Sequence, residues 1–241
     1  MARVNATVPE RVAGVLTASA TAVVITAIAI VPFLSPAWVS FEQGRTGAEV
    51  LTGYTTAELR TATDAILADL VIGPPDFDVV AGGAPVLNPR EQSHMRDVRG
   101  VFAGFGLIAL LAAAGLVISV VLARRLGHPE RAWSAVRNGA RGLAIGVVIA
   151  AAVAFFAFDA AFELFHRLFF AGGSYTFDPG TDRLVQLFPF AFWSETTMVV
   201  GAVIIAISLA VTWIAGRLSA TDAATSETTP GTGRARPEAA R

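Results

Sequence analysis

The chain has 241 residues, a formal net charge of −1 and no cysteine, and all 18 of its basic residues are arginines. Hydrophobic residues make up 54% and charged residues 15%, against roughly 45–50% and about 25% in an average soluble domain. The composition therefore excludes an ordinary soluble domain, a disulfide scaffold and a thiol nucleophile. No basic stripe for a nucleic acid is present, so we expect no nucleic-acid partner.

Four apolar stretches approach the roughly 20 residues that a helix needs to cross a bilayer. They cover residues 12–34, 101–123, 142–161 and 197–215, and Asp159 is the single charge within them. We therefore predict an all-α membrane protein with four transmembrane helices. The loop of 35–100 is too long for a plain connector and predicts a small extracytoplasmic cap.

The arginines predict how the chain sits in the membrane. Segment 124–141 carries five arginines and one acid, whereas segment 35–100 carries nine acids and five arginines. Because positive segments mark the cytoplasmic side, residues 1–11, 124–141 and 216–241 should lie inside, and 35–100 and 162–196 outside. We expect the first helix to be an uncleaved anchor, with cleavage near Ser35 as the alternative. The tail 216–241 lacks periodicity and is predicted to be disordered.

Two helix starts stand out in the long first loop. Thr55 and Glu58 fit a capping box before an amphipathic helix over 56–70. Asn88, Pro89 and Glu91 suit the N-cap, first-turn and N3 positions of a helix that continues to about residue 123. This second helix carries His94 seven residues before residue 101, or about 10 Å beyond the apolar boundary.

The third span ends with polar residues at helical spacing. Asp159, Glu163 and His166 occupy positions i, i+4 and i+7 among phenylalanines, and Gly172 and Gly173 should end the helix. A carboxylate at this depth usually faces the bundle interior. We therefore expect the stripe to point inward, toward the end of the bundle that also carries His94.

Two histidines at one end of the bundle indicate proton transfer, since imidazole is the only side chain here with an unperturbed pKa near neutrality. The alternatives are hydrogen bonding between helices, or a zinc site that adds Asp97, Asp159 or Glu163. No H-E-x-x-H motif supports zinc, and we expect no metal or other cofactor. A transport pathway would need more buried polar groups. Phe162 and Phe165 fit either packing or a slot for acyl chains, and Arg96 either an interfacial anchor or a contact with lipid phosphate.

Two blocks resemble a bacterial four-span membrane family, the one that includes the lipoprotein intramolecular transacylase Lit. Residues 88–98, N-P-R-E-Q-S-H-M-R-D-V, are similar to its E-x-x-H-M-x-D-V block. The second block has the family's spacing at Phe158-Asp159, Phe162, Phe165-His166, Phe169-Phe170, Phe177-Asp178-Pro179, Asp182, Leu184-Val185, Phe188-Pro189 and Phe192-Trp193. The resemblance covers roughly residues 12–213.

The resemblance implies an acyltransferase in the bacterial cytoplasmic membrane whose active site faces outward. Its partners would be bilayer lipids and the N-terminus of a diacylglyceryl-modified lipoprotein, whose sn-2 acyl chain moves to the α-amine of the same cysteine. His94 and His166 match the family's two histidines, and we expect one to act as base and the other as acid or oxyanion stabiliser. Asp97, Asp159, Glu91 and Glu163 are candidate supporting residues, and Arg96, Phe162 and Phe165 candidate substrate contacts. The alternative is a membrane scaffold that keeps the fold without the reaction.

Overall fold

The computed structural model describes residues 7–170 and 174–228. Eight α-helices are present in these ranges: α1 Val8–Ile30, α2 Pro36–Thr46, α3 Ala48–Thr52, α4 Thr56–Val71, α5 Pro89–Arg125, α6 Pro129–Phe169, α7 Arg183–Leu187 and α8 Phe190–Thr228. A single 3-10 turn, Val31–Leu34, follows α1, and a two-residue antiparallel hairpin, β1 Val80–Ala81 with β2 Ala84–Pro85, precedes α5. Parts of the predicted terminal segments 1–11 and 216–241, and Gly172 and Gly173, lie outside the described residues.

Four of these helices are long and apolar enough to cross a membrane. They cover Val8–Leu34, Pro89–Arg125, Pro129–Val153 and Phe190–Asp222. The prediction of an all-α protein with four membrane-spanning helices is confirmed, and the hairpin is the small β-element within the described ranges. A bilayer selects helices for this purpose because each one satisfies its own backbone hydrogen bonds.

The bundle packs through small and apolar side chains at its centre. Ile25 and Ala29 of α1 meet Ala140 of α6 and Ile204 of α8 in one buried cluster. At Gly139, α6 approaches the backbone of α1 so closely that a Cβ atom would lie 2.8 Å from the Cα atom of Ala18. Small residues at such crossings allow helix backbones to come together where lipid gives no hydrophobic driving force.

The segment between α1 and α5 folds into a cap with its own core. Leu59, Ile66 and Leu70 of α4 pack with Phe77 and with Leu187 of α7 in this core. Thr55 caps α4 by accepting a hydrogen bond from the backbone N–H of Glu58, whose carboxylate accepts in return from the N–H of Thr55. Because α7 belongs to the chain between α6 and α8, the cap joins both segments that leave the bundle at this end.

Two long helices differ from the predicted pattern. α6 is one assigned helix of 41 residues, but Ala157 within it has non-helical dihedral angles of φ −146° and ψ 46°, so the last turns take a separate direction. α8 runs on to Thr228, and the prediction that the tail is disordered from residue 216 is therefore wrong for residues 216–228. The absence of glycine and proline between 217 and 228 lets the transmembrane helix propagate.

Candidate active site

His94 lies in the second turn of α5, and the helix start fixes its place. The side chain of Asn88 accepts hydrogen bonds from the N–H groups of Arg90 and Glu91, both at 3.0 Å. The carboxylate of Glu91 returns the contact by accepting from the N–H of Asn88 at 2.7 Å. Pro89 occupies the first turn, where its missing N–H costs no hydrogen bond. His94 thus projects from a firmly capped helix end.

His166 lies near the end of α6, beyond the break at Ala157. Its Nδ1 atom lies 2.8 Å from the carbonyl oxygen of Phe162. A carbonyl oxygen can only accept, so Nδ1–H is the donor in this hydrogen bond. The neutral ring then carries its lone pair on Nε2, which is the arrangement that a general base requires.

The two imidazole rings face each other. Their centroids are 6.1 Å apart and their planes differ by 23°. His94 is only 6% exposed, and its Nδ1 has no hydrogen-bond partner among the described residues. A buried imidazole nitrogen in this state has its hydrogen-bonding capacity available for a substrate atom.

Aromatic side chains surround the pair and keep most of it from solvent. Phe170 and Phe177 lie against His94 with ring centroids at 4.8 and 5.4 Å. Phe162 and Tyr175 lie against His166 at 4.1 and 5.0 Å. The site therefore combines two nitrogen bases with an apolar wall, in which burial favours the neutral form of an imidazole.

Glu91 connects the His94 helix to the cap. It is 1% exposed, and its second carboxylate oxygen accepts a hydrogen bond from the backbone N–H of Leu184 at 2.7 Å. Leu184 lies in α7, so one side chain fixes the spacing between the two elements. The hydrogen bonds to Glu91 satisfy a carboxylate that burial alone would destabilise.

Asp182 forms a second connection, which sequence reasoning missed as a site residue. Its carboxylate accepts from the side chains of Asn88 at 3.0 Å and Arg90 at 3.1 Å, and from the N–H of Asp178 at 2.8 Å. The guanidinium of Arg90 also lies over the ring of Phe177, 5.1 Å from its centroid. No local spacing links Asn88 to a residue 94 positions later; the sequence signal was its place in the second block of the family resemblance.

The other predicted site residues are distributed differently from the expected inward stripe. Asp97, Asp159 and Glu163 are exposed on the protein surface, and Glu163 accepts a hydrogen bond from the hydroxyl of Tyr175 at 3.0 Å. The expectation that all three members of the α6 stripe point into the bundle is wrong for Asp159 and Glu163. All three follow the break at Ala157, and His166 is the member of this stripe whose ring lies against His94.

The predicted substrate contacts also have definite places. Phe162 and Phe165 both touch the ring of His166. Arg96 is exposed and donates to the carbonyl oxygen of Asp76 at 3.2 Å, so it holds the cap. Across the described ranges, no group of three His, Asp or Glu residues has the geometry to hold a metal ion.

The pairing of buried His94 with half-buried His166 agrees with the comparison with known families. A sequence model described as the lipoprotein intramolecular transacylase Lit matches residues 14–193, a range that includes both histidines. The chain belongs to the Lit family. It is therefore a membrane transacylase of the family that acts on lipoproteins.

Solved Lit structures share the fold of this chain. The Lit transacylase from Bacillus cereus is 16% identical, with a TM-score of 0.74 over 92% of this chain and 99% of that one. A variant of the Bacillus cereus protein with one histidine changed to alanine is 17% identical, with a TM-score of 0.72 over 92% and 96% of the two chains. No curated protein matches the sequence. The Lit fold thus extends over nearly the whole chain at low sequence identity.

Proposed function

We propose that the chain moves the sn-2 acyl chain of a diacylglyceryl-cysteine lipoprotein to the α-amine of the same cysteine, giving a lyso-form lipoprotein. The observation that carries the proposal is the facing pair of His94 and His166, 6.1 Å apart between ring centroids, in a chain of the Lit family. Nucleophile and ester belong to one substrate molecule, so proximity comes from the substrate itself. The enzyme must supply proton transfer and stabilise the oxyanion.

The tautomer of His166 supports a division of roles. Its Nδ1–H is engaged with the carbonyl of Phe162, which leaves the lone pair on Nε2, and in our proposal this nitrogen takes the proton from the attacking amine. His94 then donates an N–H to the tetrahedral oxyanion. Collapse of this intermediate breaks the ester C–O bond, and the proton held by His166 passes to the departing glycerol oxygen. One amide forms, one ester is lost and no water is consumed.

Secondary roles follow from position. Glu91 orients His94 by holding the start of α5 against α7. Phe162 and Phe165 line the apolar side of His166 and fit an acyl chain. Asp97, Asp159 and Glu163 are exposed, which favours an indirect effect on the charge around the site. The hydrogen bond from Arg96 to Asp76 indicates that Arg96 holds the cap and does not contact the substrate.

The proposed orientation puts the histidines on the outer face of the bacterial cytoplasmic membrane, with both termini inside. The arginine-rich segment 124–141 supports this orientation. It also matches the place of the substrate, because a lipoprotein whose signal peptide has been removed presents its N-terminal cysteine at the outer surface. Phospholipids of the bilayer would surround the reaction.

The decisive experiment is co-expression with a model diacyl lipoprotein in a host that lacks other N-acylation. Tandem mass spectrometry of the N-terminal lipopeptide is required, since intramolecular transfer gives an isomer of unchanged mass. We expect an N-acyl cysteine with a monoacylglyceryl thioether for the parent chain and for the control His128→Ala. His94→Ala and His166→Ala should leave a free amine. If the lipoprotein keeps a free amine when it is co-expressed with the unsubstituted chain at normal folded yield, the proposal is contradicted and the scaffold is favoured.

A further inference from the structure

A second group of polar side chains lies at the opposite end of the bundle from the histidines. Glu130, Trp133 and Arg137 occupy positions i, i+3 and i+7 in the first turns of α6, so they share one face of the helix. Arg124, at the end of α5, extends its guanidinium over Trp133, 5.9 Å from the ring centroid. His94 and Arg124 are 30 residues apart on α5, which separates the two sites by about 45 Å.

The helix face formed by Glu130, Trp133 and Arg137, here called the polar face of α6, contains buried atoms that lack a hydrogen-bond partner within the described residues. They are two donors, Trp133 Nε1 and Arg137 Nε, and one acceptor, Glu130 Oε2. Native proteins satisfy nearly all buried polar atoms, so three on a single helix face require an explanation. Arg137 also packs on Gly216 of α8, where a Cβ atom would lie 3.4 Å from Nε. The small residue makes room for the guanidinium between two helices.

The depth of the polar face of α6 in the membrane matches that of lipid headgroups. Arg137 lies five residues before residue 142, where the apolar part of α6 begins, or about 7–8 Å from the hydrocarbon boundary. Glu130 lies two turns further out. Indole N–H and guanidinium groups at this depth match the oxygens of a phosphodiester, and a carboxylate beyond them matches a cation attached to that phosphate.

We infer that Arg124, Trp133, Arg137 and Glu130 form a binding site for a zwitterionic aminophospholipid, with phosphatidylethanolamine as the type. Its phosphate accepts hydrogen bonds from Trp133 and Arg137 and lies beside the charge of Arg124. Its ammonium donates to the free oxygen of Glu130, whose other oxygen lies 3.5 Å from His128 Nδ1. The lipid joins the ends of α5, α6 and α8.

The test is native mass spectrometry of the purified full chain, delipidated and then titrated with phosphatidylethanolamine, phosphatidylglycerol or phosphatidylcholine at equal concentrations. We expect phosphatidylethanolamine to bind about tenfold more tightly than phosphatidylcholine, whose quaternary ammonium cannot donate to Glu130. Glu130→Gln should narrow that difference. Equal binding of phosphatidylethanolamine and phosphatidylglycerol would overturn the proposal that the lipid ammonium binds Glu130.

Arg124→Gln and Arg125→Gln are a matched pair of variants, because each substitution removes one positive charge from the same helix end. Arg124→Gln should weaken phosphatidylethanolamine binding about tenfold, whereas Arg125→Gln should leave it within about twofold. Trp133→Phe keeps the ring and removes only the N–H, and it should also weaken binding at normal folded yield. Equal effects of the two arginine variants would overturn the site and leave water as the partner of the buried donors. Loss of the bound lipid on addition of inorganic phosphate would instead indicate a free-anion site.

Discussion

The carboxylate of Glu91 joins two backbone N–H groups, those of Asn88 and Leu184, at 2.7 Å each. The first N–H belongs to the start of α5 and the second to α7, so a single side chain sets the distance between the His94 helix and the cap. Both carboxylate oxygens are required, because each accepts from a different N–H. The arrangement makes Glu91 a positioning residue for His94.

Glu91→Gln should therefore lower activity although it preserves size. Glutamine offers one accepting oxygen, so one N–H loses its acceptor and meets an amide donor. We expect a loss of about 1–3 kcal/mol in stability and a decrease of about tenfold or more in transacylation rate. The measurements are thermal unfolding in detergent and the rate of N-acyl product formation. Glu49→Gln, an exposed acid of α3, is the control, and equal behaviour of the two variants would contradict the positioning role.

The substitution His166→Asn distinguishes the role of Nδ1 from that of Nε2. An asparagine amide can donate to the carbonyl of Phe162 as Nδ1–H does, but it has no counterpart of Nε2. We expect folded yield to stay normal while the acyl-transfer rate falls at least about 100-fold, within the range that general acid–base catalysis contributes. Lipopeptide mass spectrometry measures the product, and size-exclusion chromatography measures the yield.

Tyr175→Phe is the companion control for His166. It keeps the ring, 5.0 Å from His166, and removes the hydroxyl that donates to Glu163. We expect activity within about threefold of the parent chain, since an exposed hydrogen bond contributes little. A His166→Asn variant that retains activity similar to that of Tyr175→Phe would rule out His166 as the base.

Gly139→Ala tests the closest approach between α1 and α6. The added methyl group would overlap the backbone of Ala18, with its Cα and carbonyl carbon both at 2.8 Å. We expect a loss of about 1–3 kcal/mol from overpacking, seen as a lower midpoint of thermal unfolding. Gly142→Ala, three residues later with no atom within 4 Å of the new Cβ, should leave the midpoint unchanged or raise it. A midpoint equally unaffected in both variants would contradict the observed crossing.

Glu42 should make the stability of the cap depend on pH. Burial raises the pKa of its carboxyl group, and the neighbouring Glu195 raises that pKa further, while Arg45 opposes the shift. The folded state then binds a proton more tightly than the unfolded state, so the free energy of unfolding falls as pH rises through the folded pKa. Glu42→Gln removes this loss. We expect the variant to unfold at a higher temperature than the parent chain at pH 8, with the difference shrinking toward pH 5.

The control for Glu42 is again an exposed acid. Glu49→Gln should change the unfolding temperature by similar small amounts at every pH. A stabilisation by Glu42→Gln that is constant from pH 5 to pH 8 would show that packing, and not the titration of the carboxyl group, is responsible.

Local signals in the sequence were sufficient for the helix starts that position the site. Thr55 and Asn88 each cap a helix through contacts within three residues, and such contacts can be read from spacing alone. The four apolar spans were equally visible, because the bilayer sets the length that a helix needs.

Contacts distant in the chain were beyond that reasoning. The hydrogen bond from Asn88 to Asp182 spans 94 positions and depends on how the cap folds over the bundle. The break at Ala157 has no proline or glycine beside it, so no local signal marks it. Helical spacing predicted one inward face for Asp159, Glu163 and His166, which all follow the break. The exposure of the two acids follows from the direction of the last turns, which only the tertiary packing sets.

The break at Ala157 divides α6 into two parts with separate tasks. Below it, the helix is held by its neighbours in the bundle through positions such as Gly139 and Ala140. Above it, the last turns pack against the aromatic cluster around His166. Substitutions that slide or rotate the lower part need not carry the imidazole with them. A family could therefore exchange nearly all of its lipid-facing residues for membranes of different thickness and still keep its two histidines at the same separation.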